Sequence, residues 1–337
     1  MKAAFMEGPE QFTVRECPVP SPSDNEVLIK VRACSVCGSD LTMYKMGMTD
    51  RILGHEFSGE IAGVGPGVKG WKPGDRVTIE PQLICGECHW CRTGHYNLCD
   101  SLQYTGLATD GGFAEYAIVP QYQLHRLPDT VSFEEGALME PLAVSLRGVR
   151  RSGMKPGDAV AVFGCGAIGL FTILWAGHFQ TGMIIASDVS APRLEAAAKL
   201  ADHTFNPTGG TLAEEIAELT GGLGADIVFE CSGSSQAQTD AVDSVRKGGT
   251  VLLLGIGYES TPVPLMQLTM REVEMKGSLG YLSLSDEGEF SRALEAAASG
   301  SIDLSGIPFG TYTLDEVGKA FAASHHAETP KAIVVMQ

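Results

Sequence analysis

The sequence predicts an α/β protein in two parts, a mostly β N-terminal half followed by a doubly wound parallel sheet. Three observations predict this. Short β-like runs cut by turns fill the chain from Lys2 to about Val119. After Glu140-Pro141, apolar runs alternate with helical patterns. The first of those later runs ends in the glycine loop Gly164-Cys165-Gly166-Ala167-Ile168-Gly169, which opens a helix. At 337 residues, 44% of them hydrophobic and 19% charged, the chain has enough apolar material for more than one core. Two domains are therefore expected: 1–141 together with 280–337, and 142–279.

In the first half the strands are read at Glu26-Val-Leu-Ile-Lys-Val-Arg, Phe57-Ser-Gly-Glu-Ile-Ala-Gly-Val-Gly and Asp75-Arg-Val-Thr-Ile. In the second, Ala159-Val-Ala-Val-Phe163 is a continuous apolar strand, and the Ala/Leu-rich stretch after the glycine loop has helical spacing. The alternation continues through a strand ending at Asp188, a helix over 191–201, the strand Ala225-Asp-Ile-Val-Phe-Glu230, a helix over 236–245 and a strand over 250–255. The tail carries one helix over 289–299 and a final strand from Lys331, and its economical place is back against the first domain.

Charge excludes one class of partner. A net charge of −17, with no basic stripe to reverse it, repels a polyphosphate backbone, so no nucleic-acid partner is expected. Glu7, Gly8 and Pro9 interrupt the N-terminal apolar run, and no run approaches membrane-spanning length. A soluble, cytoplasmic protein with no membrane partner is expected. Four of the nine cysteines crowd into Cys85, Cys88, Cys91 and Cys99, a spacing that suits a metal in a reducing compartment.

The glycine loop fits G-x-G-x-x-G, a weak signal alone but stronger between a strand and a helix with an acidic residue ending the next strand. Gly164 allows the tight turn, Gly166 lets the backbone approach a pyrophosphate, and Ala167, Ile168 and Gly169 begin the helix whose N–H groups face the anion. Asp188 is placed to accept hydrogen bonds from the adenosine ribose and to repel an added phosphate, which favours NAD over NADP. Arg193 either flanks the adenine or neutralises part of that repulsion.

Two metal sites are read. Cys85, Cys88, Cys91 and Cys99 supply the four thiolates of a closed tetrahedral zinc site, with no position left for substrate, so this site is structural. His89 and His95 are alternatives to one sulfur, with four cysteines making them the poorer choice. The second set is dispersed over Cys37-Gly38-Ser39-Asp40, Gly54-His55-Glu56 and Met139-Glu140-Pro141. One thiolate, one imidazole and one carboxylate leave a fourth zinc position open, as catalysis requires. Cys34 and Cys37 also form C-x-x-C, but no thioredoxin-like βα context surrounds them.

These motifs occur in one order with Gly111-Gly-Phe-Ala-Glu-Tyr116, and over essentially its full length the chain resembles the zinc-containing medium-chain dehydrogenases. The resemblance implies a GroES-like β-rich catalytic domain, a Rossmann domain, two zinc ions per subunit, NAD, and homodimers or homotetramers. Within the family, Ile52-Leu-Gly-His-Glu-Phe-Ser-Gly-Glu60 and Gly136-Ala-Leu-Met-Glu-Pro-Leu-Ala-Val144 look like the butanediol and polyol branch. By that similarity Cys37, His55 and Glu140 match the catalytic zinc positions, and Glu56 matches an acid that is either a direct ligand or linked through water. A secondary alcohol, vicinal diol or polyol, or a cyclic alcohol, would then exchange hydride with NAD(H) and interconvert with its ketone.

Ser39 is the expected first proton acceptor. Where many relatives carry a relay histidine this chain has Thr42, so a water or the Thr42 hydroxyl is expected to replace it. The segment between Cys37 and His55 is also shorter than in many relatives, which would open the pocket to bulkier substrates behind a wall of Tyr44 and methionines. Two alternatives stand beside this reading: an L-threonine or amino-alcohol dehydrogenase, which needs a carboxylate-binding cation, and a catalytically idle NAD-binding sensor, which needs no zinc ligands. The outer end of the second sheet, 257–268, is the candidate subunit interface.

Overall fold

The computed structural model describes residues 1–47, 51–282 and 288–336. They form two compact units, one of Met1–Glu140, Leu282–Ser299 and Phe309–Gln337, the other of Pro141–Tyr281 and Gly300–Pro308.

The first unit is built on the strand Glu26–Ser35, whose residues alternate between burial and partial exposure as a one-faced strand should. Val27, Ile29, Val31 and Ala33 all point inward. The strand pairs antiparallel with Glu56–Val64, with Tyr116–Pro120 and with the late strand Lys331–Val335. Among the described residues the sheet runs in the order Phe309–Thr313, Lys331–Val335, Glu26–Ser35, Glu56–Val64, Arg76–Ile79 and Leu124–Arg126, with Tyr116–Pro120 off this path on Glu26–Ser35. The tail's return to the first half is thus a hydrogen-bonded one, with Val36 N–H donating to the Ala332 carbonyl at 2.9 Å.

The second unit holds an all-parallel sheet, in the order His203–Phe205, Met183–Ser187, Ala159–Phe163, Ala225–Glu230, Val245–Leu253 and Glu274–Gly277. This is the doubly wound order, in which the sheet reverses direction beside its first strand and leaves a crevice at the strand ends. Helices cover both faces, so Val160, Ala161, Val162 and Phe163 are all buried, and the first strand reads as a continuous apolar run. The helix Ala167–His178 is buried nearly all round for the same reason.

Three boundaries differ from those expected. The helix read over 191–201 ends at Ala197, because Asp202 exchanges two backbone-directed bonds with Ile184 and pulls the chain back to the sheet. The helix read to Val245 ends at Ser244, since buried Val245 turns extended and pairs with Ala225. Gly300–Pro308 packs with the second unit, where Ile302, Leu304 and Ile307 are buried. Among the described residues, no helix is long and apolar enough to cross a membrane.

Candidate functional site

The dispersed candidate ligands are assembled by two backbone devices. Cys37 sits at the N-cap of the helix Gly38–Met46, and its N–H donates to Asp40 Oδ2 at 3.0 Å. His55 and Glu56 lie where the strand Glu56–Val64 begins, after a turn at Gly54 with φ of 100°. A side chain on Gly54 would come within 2.7 Å of Cys34 Sγ and 2.9 Å of Phe113, so only glycine fits. The Gly111-Gly112-Phe113 segment clamps this turn, with its three N–H groups donating to the carbonyls of Ile52, Gly54 and Leu53 at 2.7–3.0 Å.

The result is a group in which one atom each of Cys37, His55 and Glu56 lie within 4.8 Å of one another. Glu56 is almost completely buried, and its Oε2 accepts hydrogen bonds from Ser35 Oγ and from the buried ammonium of Lys331. Among the described residues its Oε1 is buried without a partner. An unpartnered carboxylate oxygen beside a sulfur and an imidazole fits a bound cation, and this donor set fits zinc. His55 Nδ1 lies 3.3 Å from Asp40 Oδ1, while Nε2 lies 3.5 Å from Ser39 Oγ. Burial works against a charge on His55, yet Asp40 and Cys37 outweigh it and hold its pKa well above the ordinary value. The surroundings therefore favour positive charge at this point.

Glu140, buried at the start of the helix Met139–Ser152, is outside the 4.8 Å group. Its charge nonetheless acts on Tyr104 and Lys331. Thr42 lies one turn along its helix, its hydroxyl donating to the Gly38 carbonyl at 3.4 Å. Tyr44 of the expected pocket wall is buried and packs on Phe12 and Phe321; Met48 and Thr49 lie outside the described residues.

The second group is compact. The sulfurs of Cys85, Cys88, Cys91 and Cys99 lie within 4.8 Å of one another, with Cys85 3.9 Å from Cys91 and 3.5 Å from Cys99. A tetrahedral site with Zn–S bonds of about 2.3 Å separates its sulfurs by about 3.8 Å, so the spacing fits zinc. Burial pushes the Cys91 thiol up to about 12. At Cys99 burial acts the same way, but N–H groups of Cys85 and Ser101 outweigh it and bring the thiol down to about 6. His89 and His95 are outside the group.

In the second unit, Gly164 has φ of 94°, and a side chain there would strike Ser232. Gly166 caps the helix that Ala167 and Ile168 begin, and Gly169 abuts the Gly164 carbonyl too closely for any side chain. Asp188 accepts N–H bonds from Cys165 at 2.7 Å and Ser190 at 2.8 Å, one on each carboxylate oxygen. The carboxylate is thus fixed in place while each oxygen keeps a lone pair for a ligand. A cavity of about 620 Å³ opens here, lined by Gly164, Asp188, Arg193, Thr208, Ser232 and Asp240 among others. Glu230 Oε1 ties down its far wall by accepting from Ser232 and Gly233 N–H groups at 2.8 and 2.9 Å.

Comparison with known proteins decides the family. Residues 23–129 match the alcohol dehydrogenase GroES-like domain, and 167–299 match the zinc-binding dehydrogenase domain. Sorbitol dehydrogenase of Bacillus subtilis is 36% identical over 332 residues, covering 95% of this chain and 92% of that protein. The chain belongs to the zinc-binding medium-chain dehydrogenases. Two solved structures are similar over nearly the whole of both chains. The 2R,3R-butanediol dehydrogenase of Bacillus subtilis has a TM-score of 0.88 and 32% identity, covering 99% of each chain. A zinc-binding dehydrogenase of Sinorhizobium meliloti bound to NADP has a TM-score of 0.90 and 33% identity, covering 99% of this chain and 98% of that one.

As a zinc-binding dehydrogenase, the protein is an oxidoreductase with a GroES-like and a Rossmann part, resembling the polyol dehydrogenases. Sequence reading missed the residues that hold the Cys37, His55 and Glu56 group in place. Asp40 stood within a recognised motif, and its spacing three after Cys37 was a capping signal. Ser35 and Lys331 gave no such signal, because each reads as an ordinary strand residue.

Proposed function

We propose that the protein is a zinc-dependent, NAD-linked dehydrogenase of secondary alcohols, with vicinal diols and polyols as its substrate class. The observation that carries this is the Cys37, His55 and Glu56 group, whose carboxylate keeps one buried oxygen unpartnered. The relatives' names, sorbitol and butanediol dehydrogenase, support the substrate class. Zinc bound here supplies a Lewis acid to the substrate hydroxyl, and the dinucleotide supplies a hydride acceptor.

The chain's own residues do the rest. Asp40 orients His55 and fixes which ring nitrogen faces the centre. Lys331 and Ser35 occupy one oxygen of Glu56 and leave the other as ligand, which makes Glu56 the direct carboxylate and Glu140 a neighbouring charge. Ser39 takes the substrate proton first, and Thr42 or a water passes it on. Cys85, Cys88, Cys91 and Cys99 hold a second, structural zinc. Asp188 binds the ribose hydroxyls and selects NAD, with Arg193 flanking the adenine. An amino-alcohol substrate would require a cation for its carboxylate, and the Lys331 ammonium is already committed to Glu56.

A homo-oligomer in the cytoplasm completes the proposal. Ile256, Tyr258, Leu265, Met266 and Met270 are exposed on the segment that leads from the strand Val245–Leu253 to the edge strand Glu274–Gly277, and a second copy would cover them. The test is NADH formation from 2,3-butanediol stereoisomers, sorbitol, L-threonine and cyclic secondary alcohols, with and without a zinc chelator. Chelator-sensitive oxidation of diols or polyols is expected; turnover of L-threonine alone would overturn the substrate class.

A further inference from the structure

One aromatic hydroxyl beside the Cys37, His55 and Glu56 group has no part in the chemistry above. Tyr104 lies on the short strand Gln103–Tyr104, directly opposite Gln82. Its carbonyl accepts N–H bonds from Leu107 at 3.1 Å and Ala108 at 2.8 Å, so the backbone carrying the ring is pinned on both sides. The ring is half-buried, its centroid 6.4 Å from that of His55 and tilted 56° to it. The charges of Glu140, His55 and Cys37 all act on its phenolic oxygen. A tyrosine hydroxyl, with an ordinary pKa of about 10, carries its proton at neutral pH. Among the described residues it has no hydrogen-bond partner.

A protonated phenol partly withdrawn from water, with no protein acceptor, is a donor that a ligand can satisfy. A substrate that reacts through one hydroxyl and carries another on the adjacent carbon brings the matching acceptor. We propose that Tyr104 Oη donates a hydrogen bond to that second hydroxyl and so selects vicinal diols and polyols over simple secondary alcohols. The assignment rests on reading Cys37, His55 and Glu56 as the alcohol-binding centre. Tyr104 is then a specificity-determining residue in contact with substrate, and its ring, which a phenylalanine would reproduce, serves only to carry the hydroxyl.

The test compares the zinc-loaded protein with its Tyr104→Phe variant on 2,3-butanediol and on 2-butanol. Loss of one neutral hydrogen bond to substrate predicts a fall of about tenfold in kcat/KM for the diol, with 2-butanol unchanged. Equilibrium binding of sorbitol in the presence of NADH, followed by calorimetry, should weaken by a similar factor, with zinc content unchanged. An equal fall on both alcohols would show a packing role and overturn the proposal, as would no change on either. Should the unaltered protein oxidise neither alcohol, the reading of the centre fails by itself. Sorbitol binding then still decides Tyr104, since binding insensitive to Tyr104→Phe overturns its role.

Discussion

Replacing Lys331 with methionine isolates the buried ion pair that steadies the metal group. The side chains of Lys331 and Glu56 are 4% and 1% exposed, so neither charge has water to fall back on. Methionine keeps most of the aliphatic stem and removes the ammonium, leaving Glu56 as a buried, uncompensated anion. Breaking a pair of this kind costs about 3–5 kcal/mol. Adding Glu56→Gln removes the stranded charge and should recover about 2 kcal/mol, a coupling that two independent sites would not show.

The measurement is urea unfolding of chelator-treated protein in a Trp175→Phe background, where Trp71 and Trp90 both report on the first unit. Burial by itself would lower the lysine's pKa, but Glu56 outweighs it and raises the pKa above the usual 10.5. A raised lysine pKa contributes stability that is complete below 10.5 and is lost as pH rises through the higher folded value. The destabilisation should therefore be constant from neutral pH to about 10. A loss under about 1 kcal/mol for the single variant, with strict additivity in the double, would refute the reasoning.

Gly54→Ala should cost at least about 3 kcal/mol and release zinc from the first unit, since it adds left-handed strain to an overlap with Cys34 and Phe113; thermal melts and metal analysis check it. Cys99→Ser should remove one of two zinc equivalents and lower the melting temperature by several degrees, as metal analysis and calorimetry would show. Asp188→Asn should raise KM for NAD by about tenfold and lower that for NADP, the ratio of the two in one steady-state assay being the readout. Burial, Lys45 and His326 hold His325 below its ordinary pKa of 6.5. Its neutral form stabilises the fold above that value and the contribution is lost as pH falls, so an NMR titration should place its midpoint below 6.5.

What could be read without coordinates was local. The dinucleotide loop shows in sequence because its glycines, its strand and its helix are contiguous, and the same holds for four cysteines in one lobe. The three candidate ligands of the open group were legible as residue types, but the geometry that sets Glu56 apart from Glu140 was not. It depends on which oxygen Lys331 occupies, and Lys331 lies 275 residues further on. The ends of the helices at Ala197 and Ser244 were misjudged because helical periodicity continues past them. Asp202 and Val245, answering to the sheet, end them. The placing of Gly300–Pro308 likewise turned on where three apolar side chains found cover.

The bond between Glu56 and Lys331 also sets a timetable. A ribosome delivers Cys37, His55 and Glu56 early, then the whole of the second unit, and only afterwards the strand Lys331–Val335 that supplies the counter-ion. Domains generally fold in the order of synthesis. Here the unit begun earlier is finished later. Until translation reaches Lys331, Glu56 lacks the cation that its carboxylate bonds in the finished fold.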